Sequence, residues 1–275
     1  MCRLFGLTAG TVRVSAAFWL LDAPDSLEQQ SHRNVDGSGI GFFDPDGSPV
    51  LDKQPEPAFE DPEFSHEARQ AESATFVAHV RWASAGGRTL RNTHPFAMNG
   101  RIMAHNGGFG ELDRLDRQLG EYASLVGGDT DSERYFALIT QQIDARNGDV
   151  AAGIVAAASW IAANLPVTAL NTIVAAPGEL WALRYPDQHA LHILDRPGPG
   201  GLHVRSRTSS VHAAVMPSSV IVASEELDGE TGWRMLAPGE LIHVTPDLTV
   251  RSPATIAAPP ARLIPLSGGN PNVDT

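Results

Sequence analysis

The sequence predicts an α+β domain in which sheets and helices occupy separate layers. Short segments of strand character come in runs on either side of a helical block at 109–164, instead of alternating with helices one by one. The chain has 275 residues and no internal repeat, a length that suits one sizeable core. One domain is expected over 1–251. The remainder, 252–275, is rich in Pro, Gly and Ser and is expected to be loosely held.

Taken in order, "RLFGLTA" (3–9) reads as a buried strand beginning at once. "SAAFWLL" (15–21) and "DSLEQQSHR" (25–33) read as helices, opening at Ser15 and near Asp25. A Gly-rich loop, a strand at 39–43, a "DPDG" turn and a second strand follow, then a short helix near 65–72. "ATFVAHVRWAS" (74–84) is expected to be a core strand ending in polar residues. Within 95–108, Asn99-Gly100 lies between two apolar runs and signals a hairpin. Asn106-Gly107 has no such partner run after it. Helices are expected at about 109–125, 132–146 and 149–164, and strands at 170–177, 179–185, 189–194, 219–226 and 239–246.

Composition narrows the function. With 42% hydrophobic and 19% charged residues the chain reads as an ordinary soluble globular protein. A formal charge of −12 repels phosphate backbones, so no nucleic-acid partner is expected. The apolar run within 13–24 is short and bounded by Arg13 and Asp22, unlike an export signal, so a cytoplasmic setting without membrane contact is expected. Lys53 is the only lysine, and no function attaches to it.

The one cysteine, Cys2, follows the start methionine. It reads as a small buried residue, as a lipid or redox attachment point, or as a nucleophile exposed by removal of Met1. In the last case its own α-amine, with an ordinary pKa of about 7.7–8.0, can serve as the thiol's general base. Arg81, at the polar end of a strand, suits a two-pronged grip on a carboxylate, or is a surface arginine. In "HNGG" (105–108) the Asn106 amide and the Gly107 N–H can converge on one oxyanion, or form a turn. Asp131 begins a helix, either as its cap or as a seat for an ammonium. His79, His94 and His105 lack helical i, i+4 spacing and an accompanying carboxylate cluster, so no metal site is expected. "GSGIG" (37–41) lacks the lysine and helix of a phosphate loop.

Together, the Met-Cys start, "HRNVDGSGIGFF" (32–43), "AHVRWAS" (78–84), "THPF" (93–96), "AHNGG" (104–108) and "DTDSER" (129–134) resemble the class II glutamine amidotransferases. The resemblance covers about the first 140 residues in order and is closest to the small stand-alone branch. That branch includes the γ-glutamyl hydrolase of ergothioneine synthesis, and "VIVASEELDGETGWRMLAPGELIHV" (220–244) is similar to it too. The resemblance implies a four-layer αββα N-terminal-nucleophile hydrolase sandwich of two antiparallel sheets. It implies Cys2 as nucleophile, Arg81 and Asp131 as holders of the glutamyl α-carboxylate and α-ammonium, and Asn106 and Gly107 as the oxyanion site. Trp82 and His94 match positions lining the glutamine pocket.

No cofactor is implied. The substrate class is glutamine or another γ-glutamyl compound, and an ammonia acceptor, if used, is expected on a separate synthase subunit. A γ-glutamyl amide hydrolase and a catalytically silent glutamyl-binding module are the alternatives. For a wider leaving-group pocket, Trp181, Arg184 and Trp233 are candidates that the sequence does not place.

Overall fold

Fourteen strands and five α-helices make up the described residues of the computed structural model, which are 1–83, 86–196, 217–229 and 231–266. In chain order the elements begin with β1 (Arg3–Thr8), α1 (Leu27–Ser31), β2 (Ser38–Phe43), β3 (Pro49–Gln54), α2 (Pro62–Gln70) and β4 (Thr75–Val80). Next come β5 (Phe96–Met98), β6 (Arg101–Phe109), α3 (Leu112–Leu119), α4 (Asp131–Asp144), α5 (Val150–Asn164), β7 (Pro166–Ala176) and β8 (Glu179–Leu183). The chain closes with β9 (His192–Arg196), β10 (Ser219–Ala223), β11 (Trp233–Met235), β12 (Glu240–Val244), β13 (Val250–Thr255) and β14 (Arg262–Leu263).

Two sheets result, in the orders β11-β9-β10-β1-β4-β2-β3 and β13-β12-β8-β7-β6-β5. Along both orders neighbouring strands are antiparallel; the two-residue β14 alone pairs parallel, with the start of β7. Alternation along β1 explains the layering. Leu4 joins Val77, Ile102, Ile173, Leu180 and Ile242 between the sheets, while Phe5 and Leu7 face Trp19, Leu20 and Phe64 on the helical side. A strand buried on both faces needs no polar alternation, which is why 4–7 is an unbroken apolar run between Arg3 and Thr8. Gly6 sits where the sheets approach closely: a Cβ there would stand 2.8 Å from Leu180 Cδ1. On the far side of the second sheet α3, α4 and α5 bury Tyr135, Phe136, Ile139 and Ile161 against Met103, Val174 and Trp181. The order is therefore helix, sheet, sheet, helix, as expected.

Several local expectations are corrected. Instead of a helix at 15–21 there is a single π-turn, Phe18–Asp22, buried through Trp19, Leu20 and Leu21. The next helix is capped near Asp25 as expected, by Ser26, whose Oγ accepts from Gln29 N at 3.3 Å. The Asn99-Gly100 hairpin is present, with both residues at positive φ (47° and 72°), the geometry of a two-residue turn between twisted strands. The tail expectation fails over 252–266. β13 runs across the 251/252 boundary and pairs with β12, and β14 takes the edge of β7 that β8, paired only from Thr172 onward, leaves open. Residues 267–275, and Ser84 at the end of the 74–84 segment, lie outside the described residues. Among the described residues no helix is long and apolar enough to cross a membrane.

Candidate active site

Cys2 stands just before β1, at the sheet end where β4 delivers Arg81 and Trp82. Its Sγ donates to the Trp82 carbonyl at 3.4 Å and accepts from the Trp82 N–H at 3.3 Å. That backbone is itself fixed. Arg81 N donates to Gly37 O at 2.8 Å, Asp36 N to Arg81 O at 3.0 Å, and Ala83 N to the Asp36 carboxylate at 2.8 Å. Trp82 thus serves the site through its main chain, while its side chain is 51% exposed. The Met1 carbonyl is held by Arg3 Nη1 at 3.0 Å and by Asn34 Nδ2. Arg3 is anchored in turn by Glu225 at 3.0 Å.

Burial pushes the Cys2 thiol up, so it rests protonated. The Trp82 N–H, the terminal amine and the Arg81 guanidinium oppose that shift, and the Asp131 carboxylate adds to it. The thiol therefore lies in the field of the terminal amine and the Arg81 guanidinium on one side and of the Asp131 carboxylate on the other. Arg81 is 3% exposed and donates to Gly87 O at 3.1 Å and Gly86 O at 3.3 Å. Burial lowers its pKa, but a guanidinium remains charged.

Asp131 is the first residue of α4 and not its cap. Thr130 caps the helix, its Oγ1 accepting from Glu133 N at 3.2 Å. The Asp131 carboxylate accepts from Ser132 N at 2.9 Å and from Phe109 N at 3.2 Å, which ties α4 to the end of β6. Ser132 Oγ continues to His105 Nδ1 at 2.9 Å, and His105 Nε2 meets the Ala169 carbonyl at 3.2 Å.

Asn106-Gly107 is not a turn. Both residues lie inside β6, in register with Asn171 and Leu170 of β7, and a register shift follows at Gly108/Phe109. A Cβ on Gly107 would stand 1.9 Å from the Ala169 carbonyl oxygen, so only glycine fits. The Asn106 side chain, in a residue 3% exposed, makes no hydrogen bond among the described residues. Its amide is free to serve a ligand.

His94 does not reach this cluster with a ring nitrogen. It is 4% exposed and packs on His79 and Phe96, with centroids 4.2 and 4.6 Å apart, and neither ring nitrogen has a partner. Burial holds it well below the usual histidine range, and His79 falls to about 3 for the same first reason. Lys53 props this segment by donating to Thr93 O at 2.7 Å and Pro95 O at 3.2 Å. Trp181 is packed under the helices, stacked on His243 at 4.5 Å, and Trp233 meets Trp19 at the edge of the first sheet. Arg184 follows β8 and anchors the loop there, with Nε donating to His189 O at 2.9 Å and Nη1 to Leu236 O at 3.1 Å. Sequence reading missed Asn92 and Asn34. Asn92 stands in "RNTHPF", where nothing but adjacency to "THPF" marked it.

The chain matches the sequence family described as class II glutamine amidotransferases over residues 1–257. It belongs to that family and is accordingly an amidohydrolase-type enzyme on the N-terminal-nucleophile fold. It is 31% identical over 128 residues to the probable glutamine amidotransferase DUG3 of Saccharomyces cerevisiae, covering 43% of this chain and 36% of that longer protein. It is 29% identical over 255 residues to the gamma-glutamyl-hercynylcysteine sulfoxide hydrolase of Mycobacterium tuberculosis, covering 89% of this chain and 93% of that one. The glutamine phosphoribosylpyrophosphate amidotransferase of Bacillus subtilis shares the fold at 21% identity and a TM-score of 0.65, over 94% of this chain and 50% of that one.

Proposed function

We propose that the protein cleaves the γ-amide of glutamine or of a γ-glutamyl compound through a glutamyl thioester on Cys2. The observation that carries this reading is the placement of the thiol between the fields of Arg81 and Asp131. An amino-acid head group presents a carboxylate and an ammonium together, and these two side chains are its complements. Removal of Met1 frees the Cys2 amine. Because burial keeps the thiol protonated, attack needs a base, and that amine takes the proton as the Sγ–C bond forms. The oxyanion is received by the Asn106 amide and the Gly107 N–H. Collapse breaks the C–N bond, the ammonium returns its proton to the leaving nitrogen, and water then hydrolyses the thioester to glutamate and free thiol.

In the amidotransferase form of this reading the released ammonia passes to an acceptor on a separate synthase subunit. The hydrolase form has its own support, because the hercynylcysteine sulfoxide hydrolase matches this chain nearly end to end. The deciding experiment assays purified protein for ammonia or amine release from glutamine and from substituted γ-glutamyl amides. Slow glutaminase activity that rises on adding a synthase supports the first form. Fast, partner-independent cleavage of a substituted amide with glutamine inert supports the second. No release from any of them, with Cys2 unmodified, overturns the reading and leaves a binding module.

A further inference from the structure

We propose that Asn171, in β7, is a positioning residue for Asn106: it fixes the strand segment opposite that residue and leaves the Asn106 amide to the substrate. The inference rests on the γ-glutamyl reading of the site.

Strand alternation puts the two side chains in one layer. In β6, Ile102 and Ala104 point between the sheets, and Asn106 follows on the same alternation. In β7, Ile173 and Ala175 point there too, and Asn171 precedes them on the same alternation. The two asparagines are direct cross-strand partners, fully buried at 171 and 3% exposed at 106. Directly opposite residues of an antiparallel pair hold their Cβ atoms about 4.5–5.5 Å apart, so the amides are neighbours.

Asn171 nevertheless spends its hydrogen bonds elsewhere. Nδ2 donates to the carbonyls of His189 and Ala190, each at 3.1 Å, and Oδ1 accepts from Tyr185 N at 3.0 Å. Both N–H groups are thereby used and the oxygen is engaged. An amide satisfied in this way does not compete for the one beside it. The Asn106 amide keeps its donors.

The clamp also replaces a missing strand. β8 pairs with β7 only from Thr172 onward, so the part of β7 that faces Asn106 and the residues after it leaves the end of β8 behind. β14 covers Pro166 and Val167. Between them the edge is closed by the loop after β8: Leu170 N donates to Tyr185 O at 2.6 Å, and Gln188 Nε2 donates to Thr168 O. Asn171 grips that loop on both sides of Gln188, at Tyr185 and at His189–Ala190. Removing its side chain leaves a buried N–H and two carbonyls without that partner, next to the residue that must meet the oxyanion.

The test is a double-mutant cycle read by steady-state kinetics on one γ-glutamyl amide, with Tm measured for each variant. Asn171→Ala is expected to lower kcat about 10-fold with KM within about 3-fold, because a displaced oxyanion donor is felt as charge develops. In the Asn106→Ala background the same substitution should cost less than about 2-fold, since the group it positions is already gone. Asn171→Ser keeps one hydroxyl in the clamp and should fall between wild type and Asn171→Ala; it carries the same cycle where the alanine variant does not fold. A purely structural Asn171 would lower Tm while the two kcat losses multiply, and that result overturns the proposal, as does an effect on KM alone or an unchanged kcat. If Asn106→Ala by itself leaves kcat unchanged, the oxyanion reading fails and takes the proposal with it. If Asn106→Ala lowers kcat and the losses still multiply, that reading stands and the proposal alone falls.

Discussion

Arg81 and Asn92 donate to the same oxygen, the carbonyl of Gly87, from Nη1 at 3.1 Å and Nδ2 at 3.2 Å. Asn92 is fully buried, and its Oδ1 accepts from Asp129 N at 2.8 Å. One side chain therefore couples the loop that holds Arg81 to the turn that leads into Asp131. The two halves of the proposed clamp share a fastener.

Asn92→Ala should loosen that geometry without touching the thiol or the oxyanion site. KM for a γ-glutamyl amide should rise about 10-fold, while kcat stays within about 3-fold, the pattern of lost ground-state binding. Steady-state kinetics decide it. A fall in kcat alone would place Asn92 outside the clamp.

Arg81→Lys and Asp131→Asn should also act mainly on KM, because each weakens the grip on the amino-acid end. Lysine cannot reproduce the two-pronged contact of a guanidinium. Measuring both variants against the same amide tests this, and unchanged KM in either one removes that residue from the head-group site.

Asn106→Ala should behave differently. Its amide serves the oxyanion only as charge develops, so kcat should drop about 10²–10³-fold with KM nearly unchanged. An effect on KM alone would take Asn106 out of the oxyanion site.

Acid should destabilise the fold through the buried imidazoles. The unfolded chain protonates a histidine near the ordinary 6.5, whereas His79 stays neutral in the folded protein down to about 3, and His94 titrates well below 6.5. Below 6.5 the unfolded state binds more protons, so this stability is complete above that pH and declines as pH falls toward about 3. Each such histidine steepens the decline by about 1.4 kcal/mol per pH unit within that window. Tm should therefore fall between pH 7 and pH 5, and His79→Leu should flatten the slope. A constant Tm across that range would contradict the account.

The residues with local signals were legible. Cys2, Arg81, Asn106, Gly107 and Asp131 were named from motifs, and strand runs around a helical block gave the layers. What escaped depends on tertiary pairing. β13 and β14 lie in Pro-rich sequence with little strand propensity, and form because β12 and the start of β7 present open edges. The sequence resemblance marks Trp82 as a pocket residue but carries no sign that its backbone N–H and carbonyl both meet the Cys2 thiol.

The central claim is a glutamyl thioester at an N-terminal Cys2. Intact-mass and peptide analysis of enzyme quenched in acid during turnover of a γ-glutamyl amide tests it most directly. The account predicts protein lacking Met1 and carrying one glutamyl group on Cys2, with no adduct and no turnover in Cys2→Ala. Turnover by protein that retains Met1, or by Cys2→Ala, would contradict it.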